Sequence, residues 1–261
     1  MAVTKTYIPK WTEKEISIPG PVKRGQRGKE VKKVQEWLSF SGFGLKIDGI
    51  FGPATENALK RFQEKKRLQP NGVCDVEVYE KLIQPLKDAL NVKFKKSDEY
   101  SKLVVNVANR HLQQNPHEIG GDNRGPWVRL YMGGHEGRDW FWCAGFVTFI
   151  HQQAAHLLEM KMPLKQTFSC DELANHAKQQ GTFVSGKNRA KNVENGTLQP
   201  GCLFLNCKSP GDWTHTGIVT AFHPEHMETI EGNTNIDGSR NGIAVFRRFR
   251  KYSNSIDYIS I

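Results

Sequence analysis

The sequence predicts two domains: a small all-α three-helix bundle followed by an α+β domain built on an antiparallel sheet. Two amphipathic helical patterns separated by glycine turns occupy residues 29–63, a further helical pattern begins at Cys143, and alternating strands run from 202 to 235. With 261 residues and 38% apolar content, the chain can bury one large core or two small ones.

The first 21 residues read as an extension. "MAVTKTYIPKWTEKEISIPG" mixes Lys and Glu without the apolar run of a secretory leader, and no later stretch is long enough to span a bilayer. The expectation is synthesis in a cytoplasm without a signal peptide. Five cysteines (Cys74, Cys143, Cys170, Cys202 and Cys207) form an odd set without a CxxC pair, which predicts free thiols and a reducing compartment. An excess of 37 Lys and Arg over 27 Asp and Glu gives a charge of +10, so a polyanionic partner is expected. No arginine-rich run with interleaved aromatics points to nucleic acid.

Residues 22–85 form the expected helical domain. "KEVKKVQEWLSF" sets Val31, Val34, Trp37 and Leu38 on one helical face, and "PATENALKRFQ" does the same with Thr55, Ala58, Leu59 and Phe62. Trp37 and Phe62 are read as core. Pro53 stands where a missing N–H is harmless, at the first helical position, and a third helix starts with Asp75 as its cap. "DGIFGPAT" at 48–55 is echoed by "NGVCDVEV" at 71–78, so a turn that feeds a helix occurs twice. A module this small buries only about 60% of its unfolded surface and suits recognition more than chemistry. Residues 86–99, with a basic cluster and no sustained period, read as a linker.

The string from Val22 to Leu82, with its "RG..G..V..VQ..L" and "DG.FG..T..A...FQ" spacing, resembles the three-helix peptidoglycan-binding domain of cell-wall hydrolases. Cys74 departs from the aliphatic or small residue usual there. The resemblance implies peptidoglycan as partner, with Asp48, Phe51 and Thr55 on the turn side that faces the glycan or stem peptide.

Residues 100–261 form the second expected domain. Cys143 shares a helical face with Val147, Ile150, Ala154 and Leu157 and stands at the helix start, where unpaired N–H groups and the macrodipole favour a thiolate. "CLFLNCKSPGDWTHTGIVTAF" reads as two strands joined by a turn, and "METIEGNTN" as a third that returns across "HPEH". A turn near Pro224 and Glu225 sets His215 beside Asn233 and Thr234, one step from Glu231. A cysteine amidohydrolase needs such a set: a thiol, a histidine that takes its proton and returns it to the leaving amine, and a group that holds the ring. Either Glu231 or Asn233 can hold it. His223 and His226 lack a third ligand and read as solvated turn residues, while Cys170, Cys202 and Cys207 read as packing.

"EIGGDNRGPWVRLYMGG", "WFWCAGFV", "DWTHTGIVTAF" and "TIEGNTN" together resemble the CHAP group of papain-like cysteine amidohydrolases and peptidases. The resemblance implies Cys143 as nucleophile, His215 as base and Glu231 with Asn233 as the Glu-x-Asn pair. Some relatives carry an aspartate-rich calcium loop; only Glu118 and Asp122 stand near that position, so no metal and no cofactor is expected. The domain order resembles endolysins of phages that infect Gram-negative hosts. It implies a monomeric hydrolase that reaches the wall after holin-type release or by injection, with no membrane insertion. The alternative of another class is a wall-binding or virion structural protein with a silent papain-like domain.

Overall fold

The computed structural model describes residues 2–235 and 242–261. The chain divides into two compact units, one of residues 8–88 and 118–138, the other of residues 1–7, 89–117 and 139–261.

The helical unit contains α1 (Lys29–Phe40), α2 (Pro53–Lys65), α3 (Val76–Leu82) and α6 (Pro126–Tyr131). Val34, Trp37, Leu38, Leu59, Phe62 and Leu82 are buried in it, each such side chain contributing about 1.5–3 kcal/mol. Pro53 takes the first turn of α2, and the Asp75 carboxylate caps α3 by accepting the Val78 N–H at 2.9 Å.

The internal repeat has a hydrogen-bonding cause. Gln35 Nε2 donates to Asp48 Oδ1 (3.0 Å) and Ile50 O (3.1 Å), and Gln35 Oε1 accepts the Gly49 N–H at 2.8 Å. Gln63 makes the same three bonds to Asn71, Val73 and Gly72, at 2.9, 3.0 and 2.9 Å. Each buried amide clamps the turn that feeds the next helix.

Residues 118–138, expected in the second domain, belong to the helical unit, and two interactions hold them there. Trp127 packs on Trp37 with ring centroids 6.3 Å apart, and the Arg129 guanidinium meets Glu15, Glu36 and Glu136, each at 2.7 Å. The stretch expected to be a linker is also ordered. It contains the end of α4 (Gln84–Leu90) and β2 (Asn91–Lys95), which pairs antiparallel with β1 (Ala2–Thr6) through the register Val3↔Phe94. Leu86, Ala89 and Leu90 recur at helical spacing, and Val92 and Phe94 alternate, so both patterns bury one face.

The sheet unit adds α5 (Tyr100–Gln113), α7 (Cys143–Leu157), α8 (Cys170–Gln180) and α9 (Arg189–Glu194). Its strands are β3 (Phe183–Val184), β4 (Leu203–Ser209), β5 (Asp212–Phe222), β6 (His226–Thr234), β7 (Ala244–Lys251) and β8 (Ile256–Ile259). They form one antiparallel sheet in the order β3-β8-β4-β5-β6-β7. Helix α7 packs against β5, β6 and α5, and nearly every one of its residues is buried. A helix apolar on all sides belongs in a core, and its first residue is Cys143.

Candidate active site

The β5–β6 hairpin begins in the register that its turn dictates, with Phe222↔Met227 and Ala221↔Glu228. A bulge between Val219 and Ala221 then shifts the pairing by one, giving Val219↔Thr229 and Ile218↔Ile230. His215 and Glu231 lie beyond the bulge, and His215 Nε2 donates to Glu231 Oε2 at 2.8 Å. Two glycines make room for this packing. A Cβ on Gly217 would stand 2.6 Å from Glu231 Cγ, and one on Gly232 would stand 2.6 Å from Phe146 Cβ of α7. The "THTG" and "EGN" strings are thus steric requirements as well as carriers of polar groups.

Glu231 is fully buried and its carboxylate is saturated. It accepts from His215, from Arg250 Nε and Nη2 and from Thr229 Oγ1. Burial alone would raise its pKa; the Arg250 guanidinium and His215 lower it to about 2. Arg250 also lies over the Phe204 ring, 4.7 Å from its centroid. Nothing local in "VFRRFRK" marks Arg250 out, because the contact joins β7 to β6.

The other ring nitrogen, Nδ1, makes no hydrogen bond of standard geometry, and Cys143 is the group that interacts with that ring. Burial would lower the His215 pKa, but the Cys143 sulfur and Glu231 raise it to about 9. Cys143 titrates well below its ordinary value. A hydrogen bond from Cys170 and the His215 ring outweigh the burial that opposes them, with help from the Ala144 N–H at the start of α7. Thiolate, imidazolium, carboxylate and guanidinium then alternate in sign, so the buried set is electrically balanced.

Asn233 takes a different place from Glu231. Its backbone is left-handed, φ 52°, a conformation that asparagine tolerates. With the amide oriented to satisfy both neighbours, its oxygen accepts the Trp142 N–H at 3.0 Å and its nitrogen donates to Gly242 O. Trp142 is the N-cap residue of α7 and has no side-chain cap of its own, so Asn233 positions the residue before the thiol and leaves the ring to Glu231.

The remaining thiols divide. Cys74 and Cys202 are fully buried, which pushes both thiols up. Cys170, read from the sequence as packing, has its sulfur 3.8 Å from that of Cys143. Only a helix start at "SCDE", capped by Ser169, was visible in its surroundings. His223 Nε2 donates to Glu228 Oε1 at 2.9 Å, and its ring stacks on His226.

In the helical unit, the three residues expected to face the wall polymer are occupied otherwise. Phe51 and Thr55 are 1% and 3% exposed, Thr55 accepts from Gln35, and the exposed Asp48 spends its carboxylate on Gln35 and the Ile50 N–H. Those bonds hold the Asp48 pKa below the usual carboxylate value. Phe51 and Thr55 pack inside the turn, while Asp48 stays at its surface with its carboxylate bonded to the turn.

Residues 27–82 match the family described as "Putative peptidoglycan binding domain". A spore cortex-lytic enzyme of Bacillus cereus is 36% identical over 67 residues, which are 25% of this chain and 26% of that protein. The chain thus spans about a quarter of the length of the curated relatives it matches. A crystal structure of the SleB N-terminal domain shares 35% identity, with 24% of this chain and 89% of that one covered and a TM-score of 0.24. Residues 27–82 are a peptidoglycan-binding domain, followed in the chain by a unit with an antiparallel sheet.

Proposed function

We propose that the protein is a peptidoglycan hydrolase that cuts an amide bond of the bacterial wall with Cys143 as nucleophile. The observation that carries the reading is the alternating buried set of Cys143, His215, Glu231 and Arg250, in which one ring nitrogen is bonded to a carboxylate and the other remains for the thiol. The likeness of "WFWCAGFV", "DWTHTGIVTAF" and "TIEGNTN" to CHAP amidohydrolases supports the same assignment. So does a peptidoglycan-binding domain shared with a cortex-lytic enzyme.

In the proposed reaction the Cys143 thiolate attacks the amide carbonyl carbon. The Cys143 backbone N–H, at the first position of α7, faces the developing oxyanion. His215 gives its proton to the leaving amine as the C–N bond breaks, then accepts one from the water that releases the acyl group. Glu231 keeps the ring oriented and stabilises its charged form. Asn233 holds Trp142 and, through it, the start of α7. The bond cut is the muramoyl–alanine amide or one within the stem peptide or cross-bridge.

The test is mass spectrometry of soluble muropeptides released from purified sacculi. New amino termini on Ala with free muramic acid carboxyls identify an amidase, and shortened or uncrosslinked peptides an endopeptidase. No release from any wall type would overturn the reading in favour of a silent domain. Delivery by a phage lysis system or by injection belongs to the same proposal, and lysis on co-expression with a holin tests it.

A further inference from the structure

The proposed hydrolysis uses one thiol, yet two are in contact. Cys143 Sγ and Cys170 Sγ are 3.8 Å apart, each on the first residue of its helix, α7 and α8. Cys143 is 4% and Cys170 7% exposed, so each keeps a small accessible edge. A disulfide has a sulfur–sulfur distance of about 2.05 Å, so the two sulfurs must approach by roughly 1.8 Å to bond.

We infer that Cys170 is a resolving thiol for Cys143, and that a small hydroperoxide converts the pair to a reversible disulfide that switches the site off. In the first step the Cys143 thiolate attacks the terminal oxygen of the hydroperoxide. An S–O bond forms, the O–O bond breaks, and the alkoxide or hydroxide leaves with the proton of the His215 imidazolium. In the second step the Cys170 sulfur attacks the Cys143 sulfenic acid; the S–S bond forms, the S–O bond breaks, and hydroxide leaves as water with the Cys170 proton. The two sulfurs together lose two electrons and the hydroperoxide gains them. A dithiol reductant reverses the change. The contact also protects the nucleophile, because a sulfenic acid captured by a neighbour at once is not oxidised further.

The disulfide does not depend on the hydrolase reading; the accompanying loss of muropeptide release does rest on it. The full chain is treated with one equivalent of hydrogen peroxide and followed by intact mass, non-reducing peptide mapping and muropeptide release. The expected result is loss of two hydrogens, a cross-link between the Cys143 and Cys170 peptides, and activity that falls with the cross-linked fraction and returns with dithiothreitol. In Cys170→Ser, given the second equivalent of peroxide that a sulfinic acid requires, Cys143 should carry two oxygens, with the lost fraction of that variant's activity not recovered, whereas the parent under the same two equivalents stops at the disulfide. Cys170→Ala, checked for folding by circular dichroism, guards against a defect peculiar to serine. A parent protein whose Cys143 becomes the sulfinic acid while Cys170 stays a thiol would overturn the inference, as would a cross-link to Cys202 or Cys207. A cross-link in a protein that never releases muropeptides would uphold the disulfide and defeat the hydrolase reading.

Discussion

Gln35 and Gln63 in the helical unit and His215 in the sheet unit are all buried polar side chains, but their hydrogen bonding differs. Both glutamine amides have their nitrogen and oxygen filled by the turns they clamp. His215 has one nitrogen filled by Glu231 and the other without a standard hydrogen bond, beside a thiol. A fully satisfied buried group stabilises one conformation and has nothing left to react with. An open valence costs stability and is kept where a proton must move.

The sharpest break of this comparison is Cys143→Ala, which removes the group on the open side of the ring. Muropeptide release should disappear, by roughly a thousand-fold or more, while sedimentation with sacculi persists. Cleavage at the parent rate would place the nucleophile elsewhere.

Next in size is the closed side of the ring. Glu231→Gln removes the carboxylate that faces His215 and leaves the half-buried Arg250 without that charge partner, so kcat should fall on the order of ten- to ten-thousand-fold. Asn233→Ala, which removes the bonds to Trp142 and Gly242 and none to the ring, should cost less. Equal losses in kcat would mean that Asn233 also serves the ring.

The pH dependence sharpens the assignment of charges. With Cys143 depressed and His215 raised to about 9, the ion pair exists between the two, so activity should be bell-shaped with its alkaline limb near 9. The linked stability has the corresponding signs. His215 stabilises fully below its unfolded value near 6.5 and its contribution is lost as pH rises through about 9. Glu231 stabilises above its unfolded value near 4.5 and is lost as pH falls through about 2. His111 and His151 are buried and neutral, lowered by burial to about 4 and about 3, so their contribution is present above 6.5 and declines as pH falls toward those values. Thermal melts of the full chain should therefore already weaken from pH 6.5 to 4.5, before the Glu231 contribution begins to be lost. An unchanged melting temperature across that interval would show that neither histidine is buried neutral.

The smallest effect is expected on the satisfied side. Gln35→Ala or Gln63→Ala leaves a buried turn N–H without its acceptor and should cost about 1–3 kcal/mol, read by denaturant unfolding. Sacculus binding measured well below the unfolding midpoint should be nearly unchanged. A large loss of binding in a folded Gln35→Ala protein would make the turn a ligand surface after all.

Several features were legible because they are local. The 3.6-residue period marked α1, α2 and α7, the turn at Pro224 placed His215 near Glu231, and the start of α7 fell at Cys143. The repeated turn was visible as letters, although its cause, a glutamine reaching from the preceding helix, was not. The choice between Glu231 and Asn233 turned on a bulge and a left-handed residue that alternation cannot reveal.

By itself, then, the sequence determined α1, α2, α7 and the β5–β6 hairpin, since each follows from neighbours within one helix turn or one strand pair. Tertiary structure alone decided that Arg250 neutralises Glu231, that Cys170 touches Cys143, and that residues 118–138 pack with the helical unit. Those contacts join segments tens of residues apart. Their energies depend on burial and charge balance, which exist only once the chain has closed on itself.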